Sequence, residues 1–188
     1  MDGDVAPIAA LSEVCARYQA LLILDDAHAC LDIPVPDPAA ACLRVGTLSK
    51  ALGSQGGYLA GPRAWIDLLV NRARSFIFTT ALAPASAAAA LAAVAVCRSP
   101  EGADRRATLR RHVDVLRPGH PAPIIPVLLG AEAVALAAAD CLLDAGLLVP
   151  AIRPPTVPPG TSRLRVSLSA AHLDGDVRRL AQALELLR

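Results

Sequence analysis

Leu21-Leu22-Ile23-Leu24 is a wholly apolar run that stops abruptly at Asp25-Asp26-Ala27-His28. A run this short, with no polar alternation, predicts a strand covered on both faces, as in a parallel sheet. Parallel neighbours need long crossovers, so the chain is constrained towards an α/β arrangement. In open sheets of that kind ligands bind beyond the carboxyl ends of the strands, which is where the acid pair and the histidine fall. Two acids and a histidine also suit a metal, although no further His or carboxylate cluster in the sequence completes a shell. The plainer alternative is that Asp26 caps a helix or turn and His28 is simply hydrogen-bonded.

The segments around this run agree with it. Ala6 to Tyr18 predicts a helix, with Pro7 in its first turn and Ile8, Leu11, Val14 and Cys15 at helical spacing. Cys42 to Val45 predicts a second, weaker strand, Gly57 to Ala60 a third, and Pro62 opens a helix to about Arg72. Phe76-Ile77-Phe78 is a fourth short apolar run. The alanine-rich stretch after Pro84 predicts a buried helix through Leu82, Leu91 and Val94.

From Ser99 the texture changes to a charged helix carrying Arg105, Arg106, Arg110 and Arg111. Strands are expected at Ile124 to Leu128, at Leu147 to Val149 and at the alternating Arg163 to Leu168. Helices are expected at Ala131 to Asp144 and from about Leu173 to Leu187. This divides the chain into residues 1–98 and 99–188, the second a small α+β domain and the first the tail of something larger.

Lys50 is the one lysine in the chain, every other basic side chain being arginine. Salt bridges and solubility accept either residue, but a guanidinium does not deprotonate at usable pH, whereas a lysine amine can act as a nucleophile. The position where arginine was not used is therefore the first candidate for imine chemistry. Lys50 follows Thr47 and precedes Gly53, Gly56 and Gly57, and the amides of such a turn can cradle a phosphate. The order is not that of a P-loop, because the lysine comes before the glycines. Arg153 and Arg165 flank a proline-rich loop and suit a bidentate grip on a carboxylate. Arg163 shares strand parity with Arg165 and reads as solvated; His112, His120 and His172 read as structural or solvated.

A net charge of +1 without a basic stripe argues against nucleic acid. No apolar run spans a bilayer, and the acidic start Met1-Asp2-Gly3-Asp4 is unlike a signal peptide. Five widely spaced cysteines suit neither a disulfide framework nor a zinc site. They predict buried or half-buried thiols in a reducing cytosol.

Four stretches together carry a resemblance: Asp25-Asp26-Ala27-His28, Thr47-Leu48-Ser49-Lys50-Ala51-Leu52-Gly53, Phe76 to Leu82, and Ala151-Ile152-Arg153-Pro154-Pro155-Thr156-Val157-Pro158. In this order they resemble the α-oxoamine synthases, fold-type-I enzymes that use pyridoxal 5'-phosphate. The resemblance covers essentially the whole chain. It implies the C-terminal part of that α/β fold: the end of the large cofactor domain and the small domain. It further implies a decarboxylating condensation of L-alanine with a pimeloyl thioester of coenzyme A or a carrier protein, in a cytoplasmic homodimer; a glycine-using sister enzyme and a non-catalytic remnant are the alternatives.

By position, Lys50 would carry the cofactor covalently and shuttle a proton. Asp25 would pair with its ring nitrogen, His28 with its phenolic oxygen, Ala27 with its ring face and Thr47 with its phosphate. Thr156 would contact substrate and Arg165 would hold the amino-acid carboxylate. The family's glycine-containing loop, its cofactor-stacking histidine and a cofactor-contacting serine would lie upstream of Met1. Relative to the family, Ala29 to Pro34 and the region between Gly102 and Pro126 are short.

Overall fold

The computed structural model describes residues 2–29 and 41–187. Cys30 and most of the shortened passage after Ala29 lie outside the described residues. Packing divides the chain into two units, residues 6–102 and residues 103–188 together with Met1–Val5.

The first unit is built on α1 (Ile8–Arg17), β1 (Leu22–Asp25), β2 (Cys42–Thr47), β3 (Gly57–Ala60), α2 (Arg63–Arg72), α3 (Arg74–Ile77) and α4 (Pro84–Cys97). β1 and β2 run parallel, with Asp25 level with Val45, and β3 returns antiparallel to β2, with Gly57 level with Thr47. The apolar run therefore does form a parallel strand. Its coverage is one-sided, however: Leu22 and Leu24 are buried, packed by Ile8 and Cys15 of α1, whereas Ile23 is 60% exposed. Alternate residues of a strand face opposite ways, and among the described residues only the α1 face is covered.

One further expectation for this unit is corrected for the same reason. α4 forms, but Leu91 is 73% exposed and Ala90 is its one buried residue. The fourth apolar run, Phe76-Ile77-Phe78, lies on and just after the four-residue helix α3, exposed, with the Arg74 guanidinium 5.1 Å over the Phe78 ring.

The second unit contains α5 (Pro100–Leu116, its first turn shared with the other unit), β4 (Ile124–Gly130), α6 (Glu132–Asp144), β5 (Ala151–Ile152), β6 (Ser162–Ser167) and α7 (Asp174–Glu185). The sheet order is β4-β6-β5, all antiparallel. Leu142, Leu164, Val166 and Val177 are almost inaccessible and join Val113, Ile125 and Leu180 in one core. The small hydrophobes of α6 face that core at helical spacing: Ala135, Ala138 and Leu142 are buried. Cys141, expected to be at least half-buried, sits off that face and is exposed. The four described cysteines are all free thiols.

Leu147 to Val149 is not a strand. Gly146, at φ +75°, ends α6 with its N–H on the Leu143 carbonyl, and the Leu147 N–H returns 2.8 Å to the Leu142 carbonyl. That pair of bonds draws the residues into a helix cap with a buried Leu147, and bonding to β6 begins only at Pro150, which has no N–H to offer but whose carbonyl takes the Arg165 N–H at 3.0 Å.

Candidate cofactor and substrate site

β1 and β2 end side by side, and the candidate cofactor residues hang from those ends. Asp25 closes β1, and its Oδ1 accepts the Ala27 N–H at 2.9 Å, making the turn that carries Ala27 and His28. The turn is thus capped by Asp25 rather than Asp26. Asp26 points the other way, buried, and takes the Nε–H of Arg44 at 2.5 Å. Arg44 belongs to β2 and stands level with Leu24, so the pair locks the two strands together immediately before the site. Consecutive strand residues face opposite sides, which is how one acid becomes structural while its neighbour stays exposed and available.

Thr47 ends β2. Its hydroxyl donates to the Gly56 carbonyl at 3.2 Å and receives the Ser49 N–H at 3.2 Å, with the Ser49 hydroxyl at 2.7 Å. Behind these bonds the loop is closed twice more by the backbone, Leu48 N–H to Gly56 and Ser54 N–H to Leu48. Gly53 and Gly56 take φ of +58° and +105°, values that an L side chain adopts only with strain. Leu52 is buried beneath the loop, and the Ser54 hydroxyl ties it to the Ser86 carbonyl of α4.

Lys50 rides on top of this fixed loop, exposed, and among the described residues nothing hydrogen-bonds or ion-pairs with its amine. The set present (a free primary amine, a carboxylate, two hydroxyls and an exposed histidine at two adjacent strand ends) matches the groups that a pyridine carrying an aldehyde and a phosphate requires.

No group of three or more His, Cys, Asp or Glu among the described residues is placed to hold a metal ion. Burial pushes the Cys42 thiol up, which keeps it in its protonated, unreactive form.

The other two candidates lie in the second unit. Thr156 is exposed in the loop after β5, its N–H on the Arg153 carbonyl at 3.1 Å, and the loop lines a hollow of about 310 Å³ from Ala151 to Thr156. Arg153 is held only loosely, 3.8 Å from Glu132. Arg165 is half-buried on β6, and its buried Nε has no hydrogen-bond partner. A buried, unpaired guanidinium N–H is costly unless something binds it, and a carboxylate is its natural acceptor.

Arg163, expected to be solvated, is buried: its guanidinium meets the Asp2 carboxylate, and its Nε donates to the Thr161 carbonyl at 3.0 Å. Neither Arg44 nor Asp2 stood out in the sequence. Arg44 is flagged only by its parity beside the end of β1, and Asp2 by nothing local, since its partner is 161 residues away.

The pattern of aminotransferase class I and II matches residues 1–184. The chain belongs to that family. The family is pyridoxal-phosphate-dependent, and the α/β fold is that of a fold-type-I transferase. The chain is 52% identical over its whole length to half of an 8-amino-7-oxononanoate synthase from Methylobacterium nodulans. It is 48% identical, again over its whole length, to 52% of a putative 8-amino-7-oxononanoate synthase from Caulobacter vibrioides. Among solved structures it resembles the serine palmitoyltransferase of Sphingomonas wittichii, with a TM-score of 0.86, 30% identity, and coverage of the whole chain against 52% of that protein. The 8-amino-7-oxononanoate synthase of Francisella tularensis gives a TM-score of 0.70 at 25% identity, covering 88% of this chain and 53% of that one. The chain thus spans about half the length of the curated relatives it matches.

Proposed function

We propose that the chain is the catalytic-lysine half of an 8-amino-7-oxononanoate synthase, a step of biotin biosynthesis. In this reading it condenses L-alanine with a pimeloyl thioester, releasing carbon dioxide and the thiol carrier, coenzyme A or a carrier protein. Residues 1–98 are the end of the cofactor domain and residues 99–188 the small domain. The enzyme works in the cytosol as a homodimer. The observation that carries the reading is the chain's one lysine, unpaired on a hydrogen-bonded loop beside the Asp25 strand end. The named relatives at about half identity support the choice of substrates.

Bound pyridoxal 5'-phosphate supplies an electron sink for the bond made and broken at the amino-acid α-carbon. Asp25 would hold the proton on the cofactor's ring nitrogen and so keep that sink effective. His28, Ala27 and Thr47 would hold the rest of the group, His28 at its phenolic oxygen and Thr47 at its phosphate. Lys50 would carry the cofactor and move a proton at the substrate α-carbon. Arg165 fixes the substrate carboxylate through the Nε that has no internal partner, and Thr156 contacts the acyl substrate.

The test is thiol release from pimeloyl-CoA, and in parallel from a pimeloyl-carrier protein, by the cofactor-loaded protein with alanine, glycine or serine. Release with alanine at least about tenfold above the other two supports the proposal, a ratio worth about 1.4 kcal/mol of selectivity. Preference for glycine would reassign the protein to a sister activity, and no release with any amino acid would overturn the catalytic reading.

A further inference from the structure

Arg163 and Arg165 stand two residues apart on β6 and so project from the same face of the strand. Their circumstances are opposite. Arg163 is buried, neutralised by Asp2 and further held by the Thr161 carbonyl. Arg165 keeps a buried Nε with no hydrogen-bond partner. Two uncompensated guanidiniums this close would form a site for dianions, since each attracts carboxylate, sulfate or phosphate. One carboxylate placed on one of them leaves a site for a single negative charge.

The backbone is shaped to deliver that carboxylate. Gly3 takes φ +67°, and a Cβ there would stand 2.0 Å from the Ile124 carbonyl oxygen and 2.9 Å from His120 Nε2. Those two atoms are themselves joined at 2.7 Å, so the surface against which Gly3 runs is fixed. Only glycine lets the chain pass this close with Asp2 turned onto Arg163.

We propose that Asp2 is a specificity residue. By neutralising Arg163 it leaves Arg165 as the uncompensated member of the pair, so the site takes a monocarboxylate amino acid and rejects dianions. The inference rests on the reading of Arg165 as the carboxylate-binding residue.

The experiment is a calorimetric titration of sulfate into the full chain, its Asp2→Asn variant and the double variant Asp2→Asn/Arg163→Gln, with circular dichroism to confirm folding. Asp2→Asn is expected to bind sulfate about tenfold or more tightly than the parent, and the double variant to lose the gain. Gly3→Ala, which pushes the Asp2 carboxylate away without altering charge, gives a second route to the same gain should Asp2→Asn fail to fold. Equal sulfate affinity in all folded variants would overturn the proposal. A separate titration follows the absorbance change on adding L-alanine to the cofactor-loaded protein. If sulfate affinity rises in Asp2→Asn yet never competes with alanine, Asp2 does neutralise Arg163 but Arg165 is not the carboxylate residue, so the two failures are told apart.

Discussion

His112 shows what a buried titratable side chain does here when it is not part of the site. It is 2% exposed, with Nδ1 3.1 Å from the Ser169 carbonyl and Nε2 2.8 Å from Asp174 Oδ1. It thereby ties α5 to the turn after β6 and to the first turn of α7. Replacement by alanine removes both bonds and leaves a gap, and is expected to cost about 2 kcal/mol in a urea-unfolding measurement. The bond from His112 holds the Asp174 carboxyl below its usual range. A group depressed on folding stabilises above its unfolded value and loses that contribution as pH falls through the folded one. Parent stability should therefore drop as pH falls below about 4, and the drop should be shallower in His112→Ala. An identical acid limb in the variant would contradict the role given to this bond. The sequence shows His112 as a histidine on a charged helix, and its two acceptors lie 57 and 62 residues away.

At the scale of elements, what was readable depended on where the deciding contact lies. β6 and α6 were legible because alternation and helical spacing are carried in the run itself. Leu147 to Val149 was misread because a glycine cap and a proline, not the apolar triplet, decide where pairing starts. β1 was rightly read as a parallel strand, but the covering of its second face is not encoded in its own residues. The cofactor loop was legible as a motif, whereas the Asp26–Arg44 lock behind it depends on strand register. α6 offers a direct check on the element-scale account. Leu142→Ala, at a site 1% exposed, should cost about 3 kcal/mol, while Cys141→Ala beside it should stay within about 0.5 kcal/mol. Comparable losses at both positions in thermal melts would mean that the helix face is wrongly assigned.

For the whole molecule, the two units differ in kind. The second has a contiguous core drawn from every one of its longer elements. The first buries Leu22 and Leu24 in a cluster of its own, while Phe76, Phe78, Leu68 and Leu91 stay at least half exposed. Apolar surface on that scale favours association in water. The homodimer reading predicts concentration-dependent association of the chain in sedimentation velocity, weakened by Phe78→Ser combined with Leu91→Lys. A strictly monomeric chain whose sedimentation those substitutions leave unchanged would contradict it. The family and fold were legible from four motifs in order; two of them carry the candidate residues at the ends of β1 and β2, whereas Arg165 lies on β6, outside all four.

The central claim is that Lys50 carries the cofactor, and its chemistry gives an unusually clean readout because no other lysine competes. The chain is incubated with pyridoxal 5'-phosphate, reduced with borohydride, digested and mapped by mass spectrometry. The account predicts one phosphopyridoxyl group on the peptide containing Lys50, and none on that peptide in Lys50→Arg. An unlabelled Lys50 peptide, or labelling only at the amino terminus, would contradict it.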